Sequence, residues 1–280
     1  MFEILKNESL NLTVNLMVIS APNVAKKAEP GQFIILRTDD EGERIPLTVS
    51  DYDRVAGTVT VVFQRVGATT EKLAHMKVGE CLCDFVGPLG RATETDGIKK
   101  VAVVGGGVGC AIAYPVAKKF HELGAEVHTV VGFRNKDLVI FEEEFSKVSD
   151  LMKLMTDDGS CGEKGLVTDA LKALIDSGEE YDEVITIGPL VMMKFVCKLT
   201  KEYGIKTVAS MNPIMIDGTG MCGGCRLTVG GKMKFACVDG PEFDGHEIDF
   251  DEAIARGGMY RDFERHAYEQ TCNLFSAEVE

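Results

Sequence analysis

Val101-Ala102-Val103-Val104-Gly105-Gly106-Gly107-Val108-Gly109-Cys110-Ala111 is the stretch on which the fold turns. Its first four residues are apolar without alternation, the pattern of a strand buried on both faces. The glycine run that follows opens a helix-periodic stretch over residues 111–123. In a strand-turn-helix setting, backbone N–H groups and the helix N-terminus can face a pyrophosphate, with Gly106, Gly107 and Gly109 allowing close approach. The spacing departs from Gly-x-Gly-x-x-Gly, and the same residues also fit a tight turn that holds no ligand.

Reading outward, the rhythm repeats. Apolar runs at 127–131, 151–155 and 184–187 predict parallel strands, and helices are predicted over 141–148, 166–175 and 191–203. Alternation of this kind predicts a doubly wound nucleotide-binding α/β domain over residues 96–208. The second strand ends in Gly132-Phe133-Arg134-Asn135-Lys136, with no acidic residue to bind ribose hydroxyls. Arg134 and Lys136 suit a 2′-phosphate equally well, so NAD and NADP both remain open on chemistry.

Toward the N-terminus, residues 1–95 alternate β-branched and polar positions at 12–19, 33–36 and 58–63, between glycines and prolines. Short, evenly spaced strands of this type predict an antiparallel β-barrel. One helix, over residues 69–76, is expected there with a threonine cap. Arg44-Ile45-Pro46-Leu47-Thr48 and Gly67-Ala68-Thr69-Thr70 together make a plausible cradle for a flavin pyrophosphate. Taken alone, they read as a solvated arginine and a capped helix.

Toward the C-terminus, residues 209–280 are glycine-rich, with short strands expected at 226–229 and 232–236 and a helix over 259–272. So little core calls for a metal or a neighbouring domain. The segment carries Asp217-Gly218-Thr219-Gly220-Met221-Cys222-Gly223-Gly224-Cys225 and then Cys237. Counting Asp217 as a ligand reproduces the spacing of plant-type [2Fe–2S] sites, and the glycines let the loop wrap a cluster. Zinc on Cys222, Cys225 and Cys237 with His246, or no metal, are the competing readings. Asp217 can alternatively cap a turn while Cys197 or Cys272 closes the site.

The whole chain has 280 residues, 45% apolar, which is enough for several small cores. Its net charge of −14 repels polyphosphate and argues against nucleic acid as a partner. No apolar run is long enough for a membrane span, and Met1-Phe2-Glu3-Ile4-Leu5-Lys6 lacks a targeting pattern, so a cytoplasmic location is expected. Nine irregularly spaced cysteines fit reduced thiols or metal ligands. The five histidines are scattered and form no hydrolytic arrangement.

Barrel, nucleotide fold and cysteine-rich tail, in this order, resemble the ferredoxin–NADP⁺ reductase superfamily. Arg44-Ile45-Pro46-Leu47-Thr48 is similar to its Arg-x-Tyr-Ser/Thr flavin motif, one residue longer and without the aromatic. This variant and the terminal cluster loop resemble the branch that holds the electron-transfer subunits of dihydroorotate dehydrogenase B. The same branch holds the small subunits of the electron-bifurcating NADH-dependent ferredoxin:NADP⁺ oxidoreductases. Thr156-Asp157-Asp158-Gly159-Ser160-Cys161-Gly162, Lys164-Gly165-Leu166-Val167-Thr168-Asp169 and the tail from Cys237 to His246 look like the latter. So does Asp217, which is cysteine in the dihydroorotate branch.

The resemblance implies FAD against Arg44, Pro46, Leu47, Thr48, Gly67 and Thr70. It implies NAD(H) against Gly106, Gly107, Gly109, Asp157, Gly188 and Pro189, and a [2Fe–2S] cluster on Asp217, Cys222, Cys225 and Cys237. It further implies a large flavoprotein partner, in a heterodimer or higher assembly, carrying FAD, NADP(H) and [4Fe–4S] clusters and exchanging electrons with ferredoxin. The expected activity is an NAD(P)H-dependent flavin and iron–sulfur oxidoreductase subunit in which hydride from NADH is divided into single electrons. The dihydroorotate dehydrogenase subunit, whose partner is an FMN barrel, is the alternative. A zinc-stabilised NAD(H)-sensing regulator is the reading from another class.

Overall fold

A computed structural model of the protein describes residues 2–277. Seven antiparallel strands form the N-terminal unit: β1 (Phe2–Ser9), β2 (Val14–Ser20), β3 (Phe33–Arg37), β4 (Ile45–Asp53), β5 (Thr58–Gln64), β6 (Cys81–Leu82) and β7 (Asp84–Leu89). They are ordered β6-β1-β2-β5-β4-β3-β7. The two edge strands, β6 and β7, are separated in the chain by Cys83 alone, so the sheet curls until its edges meet. Helices α1 (Pro22–Ala25) and α2 (Ala68–His75) add Val24, Ala25 and Leu73 to its core. Period-two alternation divides the strand faces. On β2, Met17 and Ile19 fill the barrel core, whereas Val14 and Leu16 pack outward on the next unit. The cap of α2 differs from expectation: Gly67 is the N-cap, and the Thr70 hydroxyl takes the Val66 and Gly67 N–H groups at 3.1 and 3.0 Å.

The second unit runs β8 (Lys100–Gly106), α3 (Cys110–Glu122), β9 (Glu126–Phe133), α4 (Glu142–Val148), β10 (Leu151–Thr156), β11 (Glu163–Lys164), α5 (Val167–Asp176), β12 (Glu183–Ile187), α6 (Leu190–Glu202) and β13 (Thr207–Ser210). Its sheet order is β11-β10-β9-β8-β12-β13. The expected strands and helices are all present, and β8 shows why its sequence carries no polar alternation. Val101 and Val103 enter the core shared with α3 and α4, while Ala102 and Val104 enter the one shared with α5 and α6.

Pro115 inside α3 cannot donate to the Ala111 carbonyl, and the Ser50 hydroxyl of β4 supplies that donor at 2.6 Å. With Lys118 paired to Asp51 at 3.2 Å, this fixes α3 against the barrel.

The remaining chain forms the hairpin β14 (Arg226–Val229) and β15 (Lys232–Phe235), then α7 (Ala236–Asp239), β16 (Glu242–Asp244), α8 (Phe250–Gly257) and α9 (Arg261–Ala277). Its core is largely borrowed. Cys225, Leu227, Cys237 and Phe250 cluster with Phe33 and Ile35 of the barrel and with Met193 and Cys197 of α6. Strand β16 joins the parallel sheet as an antiparallel edge on β13, and α9 returns to pack on α2. No helix among the described residues is long and apolar enough to cross a membrane.

Candidate functional site

The C-terminal ends of β8, β9 and β12 meet the barrel around a cleft of about 930 Å³, within the range of cofactor sites. Thr48 lines it from β4, opposite Gly106, Gly107 and Gly109 after β8 and Gly188 and Pro189 after β12. Asp157 and Arg134 line it from the ends of β10 and β9. The two glycine turns interlock. A Cβ on Gly109 would lie 2.7 Å from both Gly188 Cα and the Ile187 carbonyl oxygen, so a side chain there would force the turns apart. Gly107 has a different reason to be glycine: its φ is +56° and nothing lies within 4 Å of a built Cβ. That leaves backbone open to the cleft, which suits the approach of a phosphate group.

Of the barrel residues singled out in the sequence, Thr48 faces this cleft, with Pro46 and Leu47 preceding it on β4. Arg44, Gly67 and Thr70 do not line it. The Thr70 hydroxyl closes its own turn, donating to the Gly67 carbonyl at 3.0 Å. Arg44 points toward the C-terminal unit, where its Nε donates to the Ile216 carbonyl at 3.1 Å and its guanidinium lies 3.5 Å from Asp84. Sequence reading missed Thr13, Gln64, Thr168 and Asn212, all of which line the cleft. Each sits at or just beyond the end of an element, where position in the fold rather than residue type places it.

The loop that bears the thiols begins where the cleft ends, since Ser210, Met211 and Asn212 line the cleft and Asp217 follows five residues after Asn212. Cys225 and Cys237 are buried with sulfurs 3.2 Å apart, and Cys222 is exposed. The loop is seated on the barrel: Gly218, at φ +84°, would drive a Cβ to 2.8 Å from Leu89 and 2.9 Å from Ile35. The Asp217 carboxylate accepts the N–H groups of Thr219 and Met221 at 3.0 and 3.3 Å and also the Thr219 hydroxyl, and these hold it below the usual carboxylate range. The N–H group of Gly224 points at the Cys222 sulfur at 3.4 Å and lowers its pKa. Burial, reinforced by the adjacent Cys225 thiol, pushes Cys237 up to about 12.

Three soft thiols, a carboxylate and N–H groups aimed at sulfur are the donor set of an iron–sulfur cluster. A single tetrahedral ion needs tighter grouping. Among the described residues, the ligand atoms that all lie within 4.8 Å of one another are those of Glu126, His128 and Glu179, where Lys100 already bridges both carboxylates. Of the cysteines held in reserve as a fourth ligand, Cys197 faces Gly245 under α6, and Cys272 bonds Tyr268 beside the barrel.

The iron-sulfur cluster binding domain of dihydroorotate dehydrogenase B matches residues 212–249. A Thermotoga maritima homologue of the dihydroorotate dehydrogenase B (NAD(+)) electron transfer subunit is 48% identical, covering 90% of this chain and 89% of that one. The Fusobacterium nucleatum electron transfer subunit of that enzyme is 32% identical, over 84% of this chain and 92% of its own. The chain belongs to this family of electron-transfer subunits and their homologues. Among solved structures, a chain of the NADH-dependent reduced ferredoxin-NADP oxidoreductase, described for flavin-based electron bifurcation, is 45% identical with a TM-score of 0.91. The match covers 96% of this chain and 97% of that one, so the likeness spans barrel, nucleotide fold and cluster loop together.

Proposed function

We propose that this chain is a flavin and iron–sulfur electron-transfer subunit that passes electrons between NAD(H), FAD and a [2Fe–2S] cluster, to or from a larger catalytic subunit. In its finer form, the partner is a large flavoprotein carrying FAD and [4Fe–4S] clusters, and the complex is an electron-bifurcating NADH-dependent ferredoxin:NADP⁺ oxidoreductase. One observation carries the reading: Ser210, Met211 and Asn212 line the cleft bounded by the glycine turns and Thr48, and the chain runs on from them into the loop that bears Asp217, Cys222 and Cys225, with Cys237 of α7 against Cys225. Two-electron and one-electron sites would thus adjoin within one chain.

Three functional units are assigned: residues 1–95 for FAD, 96–208 for the nicotinamide nucleotide and 209–280 for the cluster. Gly106, Gly107, Gly109, Gly188 and Pro189 offer backbone to the nucleotide phosphates, and Asp157 offers a carboxylate to ribose. Thr48, with Pro46 and Leu47, borders the flavin, while Arg44, Gly67 and Thr70 stay outside the cleft. Asp217, Cys222, Cys225 and Cys237 hold the irons. When bound, FAD exchanges a hydride's electron pair for single electrons, and the cluster carries them one at a time. The protein residues orient and shield these groups, and no side chain is needed as a general base.

The dihydroorotate dehydrogenase B subunit is the second reading, favoured by the match of its cluster domain to residues 212–249. Asp217, at a position that is cysteine in that branch, favours the bifurcating complex. Anaerobic purification from the native host tests both. The expected preparation contains FAD, iron and sulfide, gives a [2Fe–2S] EPR signal after dithionite, is reduced faster by NADH than by NADPH, and co-purifies with a flavoprotein containing [4Fe–4S] clusters. An FMN-barrel partner would establish the second reading instead, and a colourless protein containing zinc would refute both.

A further inference from the structure

We propose that Arg226 raises the electron affinity of the cluster through Cys222, by polarising the one peptide group whose N–H points at the Cys222 sulfur. This rests on the cluster reading above. The Arg226 guanidinium donates to the Gly223 carbonyl at 3.1 Å, and the other end of that same peptide, the Gly224 N–H, donates to Cys222 Sγ at 3.4 Å.

A cation thus acts on one sulfur through a single amide. Hydrogen bonds in series polarise one another, so a carbonyl that accepts from a guanidinium leaves its N–H a stronger donor. Cys222 is also the exposed thiol of the three, the one whose sulfur has the least protein around it. Reduction adds one electron, and hence one negative charge, to the group the thiolates hold. Stronger N–H donation to sulfur favours the more negative state, and hydrogen bonds to sulfur are an established determinant of cluster potential. In a chain of net charge −14, a cation placed here opposes a field that would otherwise resist reduction.

Arg226 is the residue to test, because it is exposed at the start of β14 and lies outside the proposed ligand and flavin sets. The experiment is an anaerobic redox titration of the cluster EPR signal in the holo-protein, for the parent, Arg226→Gln and Lys232→Gln. Lys232 is an exposed cation on the same hairpin. Arg226→Gln is expected to make the cluster about threefold harder to reduce, a fall of ~28 mV at 59 mV per tenfold for one electron. Lys232→Gln should leave the midpoint near the parent value. Arg226→Lys keeps the charge without the planar fork and should move the midpoint the same way by less, so the measurement survives if Arg226→Gln does not load. An unmoved midpoint in loaded Arg226 variants overturns the inference, as does an equal shift in Lys232→Gln, which would mean surface charge alone. A parent protein that holds no cluster refutes the underlying reading, a result distinct from either.

Discussion

Replacing Gly109 by alanine tests whether the two glycine turns act as one unit. The added Cβ would meet Gly188 Cα and the Ile187 carbonyl oxygen, each at 2.7 Å, and the Ile187 carbonyl carbon at 3.0 Å. All three are backbone atoms at the end of β12, so no side chain can swing aside to relieve the clash. Overpacking of this kind costs about 1–3 kcal/mol. The backbone at Gly109 is helical, at φ −59°, so alanine there stiffens the unfolded chain and returns about 0.4–1 kcal/mol. The net expectation for Gly109→Ala is a loss of about 1–2 kcal/mol in urea unfolding. The Gly188-Pro189 turn is pushed away at the same time, and NADH binding, followed by fluorescence titration, should weaken about tenfold, ~1.4 kcal/mol. Gly107→Ala is the matched control. Its φ of +56° costs an L-residue about 1–2 kcal/mol, yet nothing lies within 4 Å of the new atom, so the Gly188 turn stays in place. A Gly109→Ala protein as stable as the parent, with unchanged NADH affinity, would refute the interlock.

Asp217→Ala should reduce iron content and the EPR signal, while Asp217→Cys should retain iron; equal iron in Asp217→Ala and the parent would remove Asp217 from the ligand set. Glu242, accepting the Thr93 hydroxyl at 2.8 Å, is pushed up to about 7 by burial, so the folded state holds its proton more tightly than the unfolded chain. Stability should therefore fall as pH rises from about 4.5 to about 7, by ~3 kcal/mol, and Glu242→Gln should abolish that slope in urea unfolding at stepped pH. Arg65→Met strands the buried Glu71 carboxylate, which is held below its ordinary range chiefly by the Arg65 hydrogen bond. A loss of ~3 kcal/mol at pH 7 is expected, shrinking as Glu71 protonates in acid; a pH-independent loss would mean packing, not charge, is responsible.

Legibility followed range. The barrel alternation, the unbroken apolar runs of β8 and β12, and the helices between them were readable because each pattern repeats within a few residues. The cysteine spacing was readable for the same reason. Two features had a local trace that was easy to pass over. Pro115 inside a helical stretch leaves the Ala111 carbonyl in need of a donor, which Ser50 supplies, and the broken alternation of the tail reflects a core shared with Phe33, Ile35 and Met193.

By itself, then, the sequence determined most of the strands and helices, that a glycine turn follows a buried strand, and that three thiols and a carboxylate lie close together in the chain. Tertiary structure alone decided that Arg44 reaches Ile216, 172 positions along the chain, rather than facing the cleft, and that Glu242–Asp244 closes the edge of the parallel sheet. It also brought Gln64 and Asn212 to one cleft. The physical reason is that local pattern sets the conformation of a segment and the face it buries. Which distant surface receives that face depends on shape and hydrogen-bond demand summed over the whole fold.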